Sequence, residues 1–122
     1  MPTGKQSLNS IANTLKSEYR FVGPVQQLTV TSTASPLSAL TGYTNPTPGF
    51  LPDYVLIEVQ DAASPSTGIR YGFGSTVPTT TKGIRKFDKD VFDIEGAGDI
   101  ASLNVILASG VVYLNVQFGV KT

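Results

Sequence analysis

Histidine, cysteine and tryptophan are all absent from this 122-residue chain. Without an imidazole, the usual general base at neutral pH and the commonest metal ligand are missing, which excludes serine triads and zinc sites. Without a thiol there is neither a disulfide nor a thiolate metal site, so redox compartment leaves no mark on the sequence. Charge is scarce as well. Charged residues make up 15% of the chain, and nine basic residues cancel nine acidic ones. A neutral chain lacks the long-range attraction to phosphate that nucleic-acid and membrane-surface binders use, so neither partner is expected. Low self-repulsion instead favours contact with copies of itself or with a protein lattice. No run approaches the ~20 apolar residues of a membrane span, and Met1–Gln6 opens without an apolar stretch, so no secretory route is expected. No Asn-x-Ser/Thr sequon occurs either, which fits a chain made in a bacterial cytoplasm.

Apolar residues reach 40% of the chain, enough for one compact core. A domain of this size buries roughly two-thirds of the surface that its unfolded chain exposes. From Ser7 to Arg20, Leu8, Ile11, Ala12, Leu15 and Tyr19 recur at spacings of three and four, the period of one helical face. A short amphipathic helix is expected here. Alone it is marginal in water, so it needs a surface, either its own core or a neighbouring subunit.

The period then changes. Val25–Thr33 alternates Leu28 and Val30 with Thr29 and Thr31, as a strand does. Residues 35–53 hold Pro36, Pro46, Pro48 and Pro52 with Gly42 and Gly49, and proline cannot donate to a central ladder. A long loop is expected, ordered rather than floppy, because Leu37, Leu40, Tyr43, Phe50 and Leu51 need burial on a partner or over the sheet. Strands follow at Tyr54–Gln60, around Ile69–Phe73 and at Phe92–Ile94. Ser102–Ala108 and Val111–Val120 flank Ser109-Gly110, which reads as a closing β-hairpin. The fold class is mainly β: a single-domain antiparallel β-sandwich or jelly-roll-like barrel with a short N-terminal helix or arm. Residues 1–20 form the arm and 21–122 the β domain.

Candidate chemistry is thin. Asp88, Asp90, Asp93, Glu95 and Asp99 lie close together, and paired carboxylates can catalyse glycoside hydrolysis. Lys82, Arg85, Lys86 and Lys89 are interleaved with them, which fits a charge-balanced surface edge and would hold the acids ionised. Asp88-x-Asp90 resembles the start of a calcium loop, but Phe92 and Asp93 stand where an oxygen ligand and a glycine belong. Gly72-Phe73-Gly74 lacks the lysine and helix of a phosphate loop and reads as a strand end. Tyrosines 19, 43, 54, 71 and 113 offer a stacking platform for sugar, or else cover a core edge. The protein is expected not to be an enzyme, with no catalytic residue, cofactor or metal.

One stretch carries a resemblance. Val55-Leu56-Ile57-Glu58-Val59 is followed by Gly68-Ile69-Arg70-Tyr71, Pro78-Thr79-Thr80-Thr81-Lys82-Gly83, Gly98-Asp99-Ile100 and Ser109-Gly110-Val111-Val112-Tyr113-Leu114-Asn115-Val116. In that order and spacing the chain resembles small β-rich structural proteins of tailed bacteriophages. It departs from their pattern at Gly74-Ser75-Thr76, where Asp-Gly is expected. The resemblance implies a virion component, a capsid decoration or cement protein that stabilises the head by bridging capsomers. Its partners would be the major capsid protein and copies of itself, as a homo-trimer or dimer on the capsid surface. Leu8, Ile11 and Leu15 in the arm, with Tyr43, Phe50 and Leu51 in the loop, are then the expected contact residues. The alternative is a tail- or fibre-associated adhesion module that binds a host glycan or receptor through exposed tyrosines.

Overall fold

Aromatic and β-branched side chains dominate the chain from Tyr19 onward, and the backbone there is extended. The computed structural model describes residues 19–61, 68–75 and 77–122. Seven strands result: β1 (Tyr19–Thr29), β2 (Tyr54–Asp61), β3 (Ile69–Phe73), β4 (Ile84–Lys86), β5 (Val91–Glu95), β6 (Leu103–Leu107) and β7 (Val112–Lys121). A six-residue helix, α1 (Ala97–Ser102), joins β5 to β6. The expected helix up to Arg20 gives way at its end, because Tyr19 and Arg20 already pair with Lys121 and Val120. Leu8, Ile11 and Leu15 lie outside the described residues.

The strands form two antiparallel sheets, a larger one in the order β1-β7-β2-β5 and a smaller one in the order β4-β3-β6. Alternation sets the register. Val55, Ile57 and Val59 pair with Phe118, Val116 and Leu114 on the inner face, and all six are essentially inaccessible. Leu103, Val105 and Ile69 close the core from the smaller sheet. Tyr71 of β3 stacks on Phe92 of β5 across the gap, with centroids 4.9 Å apart. Each fully buried aliphatic or aromatic side chain of this kind contributes about 1.5–3 kcal/mol, so the sandwich interior is the main source of stability.

The expected closing hairpin is corrected. β6 pairs with β3, whereas β7 pairs with β1 and β2 in the opposite sheet. Residues 108–111 therefore make a corner between sheets. Those sheets pack about 10 Å apart, a span that four residues cross easily. Alternation and a Ser-Gly turn specify two strands and a reversal, but not which partners the strands take.

Residues 30–53 form the long connection and are ordered by backbone pairing. Ser35 exchanges both hydrogen bonds with Val105 (3.0 and 2.9 Å), and the Leu107 N–H donates to the Thr31 carbonyl (2.9 Å). A short 3-10 turn, Leu37–Ala39, buries Leu37. Further on, the Gln26 side chain behaves as a piece of strand: Nε2 donates to the Thr44 carbonyl (2.7 Å) and Oε1 accepts from the Thr44 N–H (2.8 Å). Gly42 passes so close to β1, at φ 99°, that a Cβ would fall on the Gln27 carbonyl oxygen, which confines the position to glycine.

Candidate functional site

Register also decides which loops share an end of the sandwich. Tyr54 opens β2 beside Glu95, the last residue of β5, and beside Gly119 near the end of β7. In the smaller sheet, Phe73 ends β3 beside Leu103, which opens β6, and Ile84 opens β4 opposite Tyr71. Helix α1 joins these two corners, so this end also carries Tyr19, the loop 43–52 and the β3–β4 loop. We term it the helical end.

Exposed apolar side chains concentrate there. Among the described residues, Val25, Phe50, Leu51, Phe73, Val77, Ile84, Phe87 and Val111 are large hydrophobics left in water. Five of these eight, namely Phe50, Leu51, Phe73, Val77 and Ile84, belong to the helical end. Phe50 and Leu51 are the most open, at 59% and 58%. They are presented by a tight turn in which Thr47 Oγ1 donates to the Phe50 carbonyl (2.9 Å) while the Thr47 N–H donates to Asn45 Oδ1 (3.0 Å). Scattered single hydrophobics on a surface are ordinary; a concentration at one end marks a contact surface.

Two shallow apolar hollows lie at this end, the first of them beside α1. The first, of about 170 Å³, lies between Leu37, Tyr43, Leu51, Ile100, Ala101 and Phe118. The second, of about 250 Å³, lies between Tyr71, Phe73, Val77, Pro78 and Ile84 with the stem of Lys82 at its rim. Arg70 fixes the wall of the second: its Nε donates to the Thr80 carbonyl (3.1 Å) and Nη1 to that of Gly83 (2.9 Å). Both hollows are open and lined mainly by carbon, the second almost wholly so, suited to receiving an apolar side chain from another protein.

Of the expected contact residues, Phe50 and Leu51 stand at this surface. Tyr43 turns the other way, its ring edge-on to Phe118 at 5.9 Å, so it packs on the core and lines a hollow. Burial raises the pKa of Tyr43 and of Tyr71. Phe73, Val77 and Ile84 were not among the expected contacts. Phe73 shares a face with Ile69 and Tyr71, as the alternation indicates, but as the last residue of β3 it is left exposed beyond the core.

Four of the five clustered carboxylates, those of Asp88, Asp90, Asp93 and Glu95, accept hydrogen bonds within the fold. Asp88 Oδ1 accepts from the Asp61 N–H (2.9 Å) and Asp90 Oδ2 from the Phe87 N–H (2.7 Å), closing the turn at Lys89. Asp93 Oδ2 accepts from the Tyr54 hydroxyl (3.0 Å) and Glu95 Oε1 from that of Tyr19 (2.8 Å). The Tyr54 phenol is pushed well above its ordinary pKa, first by burial and then by the charges of Asp93 and Glu95. Among the described residues no group of three or more acidic side chains is arranged to hold a metal ion, and no helix is long and apolar enough to cross a membrane. Four of the five tyrosines are spent on packing: Tyr19 stacks on Tyr54, Tyr43 meets Phe118 and Tyr71 stacks on Phe92.

Comparison with protein-family models, with curated proteins and with solved structures finds no match to this chain.

Proposed function

We propose that the protein is a structural, protein-binding module whose helical end docks on a partner, and that it serves as a decoration or cement protein of a phage capsid. The observation that carries the docking surface is the concentration of Phe50, Leu51, Phe73, Val77 and Ile84 around two apolar hollows at one end of a rigid sandwich. The sequence resemblance supplies the identity of the partner as a capsid lattice. Cementing a lattice asks for little charge to desolvate, a scaffold that keeps its shape, and apolar side chains held out by ordered loops. A net charge of zero and the hydrogen-bonded loop 43–52 fit those needs. Modest single contacts gain strength when repeated over symmetry-related sites. The adhesion alternative gains nothing from the tyrosines, most of which face packing partners.

Quantitative mass spectrometry of purified virions from the phage that encodes the chain tests the reading. Copies comparable to the major capsid protein support lattice decoration. A few to tens of copies would move the protein to the tail or neck, and absence from particles would overturn the virion reading altogether. The docking surface is tested separately. The Phe50→Asp, Leu51→Asp double variant should lose particle binding at least tenfold while melting at the wild-type temperature.

A further inference from the structure

The hollow between Tyr71, Phe73, Val77, Pro78 and Ile84 is walled by the smaller sheet and its β3–β4 loop, with no residue of the larger sheet. Its open side has a cause in the strand order. Tyr71 of β3 stacks on Phe92 of β5, so β3 lies over the last strand of the larger sheet. β4 lies on the side of β3 away from β6 and therefore overhangs, with no strand facing it among the described residues. Ile84 shares a face with Tyr71 and so points into the sandwich, yet it is 54% exposed. Lys86, the other inward side chain of β4, leans back over its own core, its Nζ 5.3 Å from the Phe92 ring centroid. Beside β5, the sandwich has room for one more strand.

The edge of β5 is suited to receive it. The Gly96 N–H donates to the Asp53 carbonyl and the Val59 N–H to that of Asp90, which makes Tyr54–Glu95 and Glu58–Val91 non-hydrogen-bonded pairs of the β2–β5 ladder. Val91, Asp93 and Glu95 therefore turn their backbone N–H and C=O groups away from β2, and no described backbone group bonds to them. No proline or register shift interrupts this edge. Charge then restricts what can pair with it. Asp93 and Glu95 are exposed acids on the outward face of β5, whereas Arg85 is an exposed base on the outward face of β4, its guanidinium over the Phe87 ring. Pairing β5 with a second β5 would crowd acids together, and pairing β4 with a second β4 would crowd bases; like charges across a ladder are destabilising. Only β5 against β4 sets acid beside base.

We infer that two copies of the chain join as a two-fold dimer in which β5 of each is extended by β4 of the other. The overhanging β4 of one copy fills the place beside β5 of the second, and the second returns the same contact. The axis runs roughly along the strands between the two β4 strands. Rotation about it keeps each strand's direction, and β4 and β5 run opposite ways, because Ile84 and Glu95 both lie at the helical end. The new ladders are therefore antiparallel. Ile84 of each copy then faces Ile84 of the other across the axis, which closes the open side of both hollows, while Arg85 of each comes beside Asp93 and Glu95 of the other. The contact is isologous and closed, so the β5 edges are used up and no fibre can grow from them. The inference deepens the docking surface proposed above and rests on it in taking the second hollow as a contact site. It assigns that hollow to self-contact and leaves Phe50 and Leu51 to the partner. Because the axis runs along the strands, both helical ends point the same way, and two sets of these side chains can engage one lattice together.

Analytical ultracentrifugation of the purified full chain tests the dimer without any virion. A concentration-dependent dimer is expected, and Ile84→Asp and Arg85→Glu should each weaken it at least tenfold while melting as the wild type does, since both side chains are exposed in the single copy. A chain that stays monomeric at every concentration would overturn the inference, and so would a dimer that neither substitution moves. The absence of native cysteine allows a second measurement. A short bis-maleimide, long enough for the roughly 10 Å between facing sheets, should join two copies of an Ile84→Cys variant and leave Val111→Cys, exposed at the opposite end, uncoupled; equal coupling of the two would sink the assigned surface. The Phe50→Asp, Leu51→Asp variant should remain dimeric. If it loses particle binding although the wild type is a monomer, the docking surface stands and the dimer alone falls.

Discussion

The outward face of the larger sheet is two surfaces in one. Toward the far end it is a lattice of amides: Asn115 Nδ2 donates to Gln60 Oε1 (2.9 Å) and to Glu58 Oε1 (3.3 Å), while Gln27 Nε2 donates to Gln60 Oε1 (3.3 Å). Toward the helical end it is aromatic and dry. The two halves share strands, twist and register, so strand propensity does not distinguish them. What differs is the missing side chain at Gly119 and the apolar rings gathered over it. Amide side chains satisfy one another and tolerate water beside them, whereas stacked tyrosine rings gain most when their apolar faces are kept from water.

The comparison is broken most directly at two neighbouring residues that point to opposite faces. Ile57 lies in the sandwich interior and Leu56 on the outward face, and both are almost inaccessible. Ile57→Ala should cost about 2–5 kcal/mol in urea unfolding. Because Leu56 is buried in the aromatic cluster, Leu56→Ala should cost about 2–3 kcal/mol; a loss under about 0.5 kcal/mol, the usual figure for a wet surface position, would erase the distinction between the halves. Gly119→Ala comes next. Its methyl would stand 3.1 Å from the Arg20 carbonyl oxygen and 3.3 Å from the Tyr54 ring. Overpacking of this kind costs about 1–3 kcal/mol and should change the near-ultraviolet dichroism of the tyrosines.

Tyr54→Phe removes the hydroxyl that donates to Asp93 and should lower stability by about 1–2 kcal/mol near neutral pH. It should also alter the alkaline limb. The folded-state pKa of Tyr54 is raised above its ordinary value of 10.0, so the unfolded chain releases this proton first. Its contribution is complete below about pH 10 and is lost as pH climbs beyond, with a slope of about 1.4 kcal/mol per pH unit. Unfolding free energies measured from pH 9 to 11.5 should fall less steeply in the phenylalanine variant. The smallest effect belongs to the amide half, where Asn115→Ala should change stability by no more than about 0.5 kcal/mol.

Much of the architecture was legible because period two is a strong signal where one face is buried. The inner row Val55, Ile57, Val59 and the row Leu114, Val116, Phe118 both alternate cleanly, and both strands lie where the pattern puts them. Partner choice was not legible: β6 and β7 look like a hairpin because chain reversal and sheet crossing use the same short turn. Ile84–Lys86 forms a strand of three residues inside a charged stretch, too short for any period to register. Helix α1 is a single turn and a half with one buried side chain, Ile100, and likewise has no stripe to detect. Within the candidate site, Phe50 and Leu51 stood out because apolar side chains in a proline-rich loop have no periodic role to fill. Tyr43 looked the same in sequence and turned inward, since only the fold brings Phe118 beneath it. Phe73 ends β3, Ile84 opens the three-residue β4 and Val77 lies in the loop between them, an exposed edge of the smaller sheet that residue spacing does not reveal.

The outer edge of β1 has a consequence for solubility. Gly23, Pro24 and Val25 stand opposite Gln117 alone where the register shifts between Val22 and Gln26. Pro24 has no N–H, the Gln26 side-chain carboxamide lies along the edge bonded to the Thr44 backbone, and the Thr29 N–H donates to the Thr41 carbonyl. An edge strand with free, evenly spaced donors is a template for fibre growth; this one is bent, plugged and partly paired. Copies crowded together are thereby kept from joining along this edge, and an assembly limited in that way can come apart again without passing through amyloid.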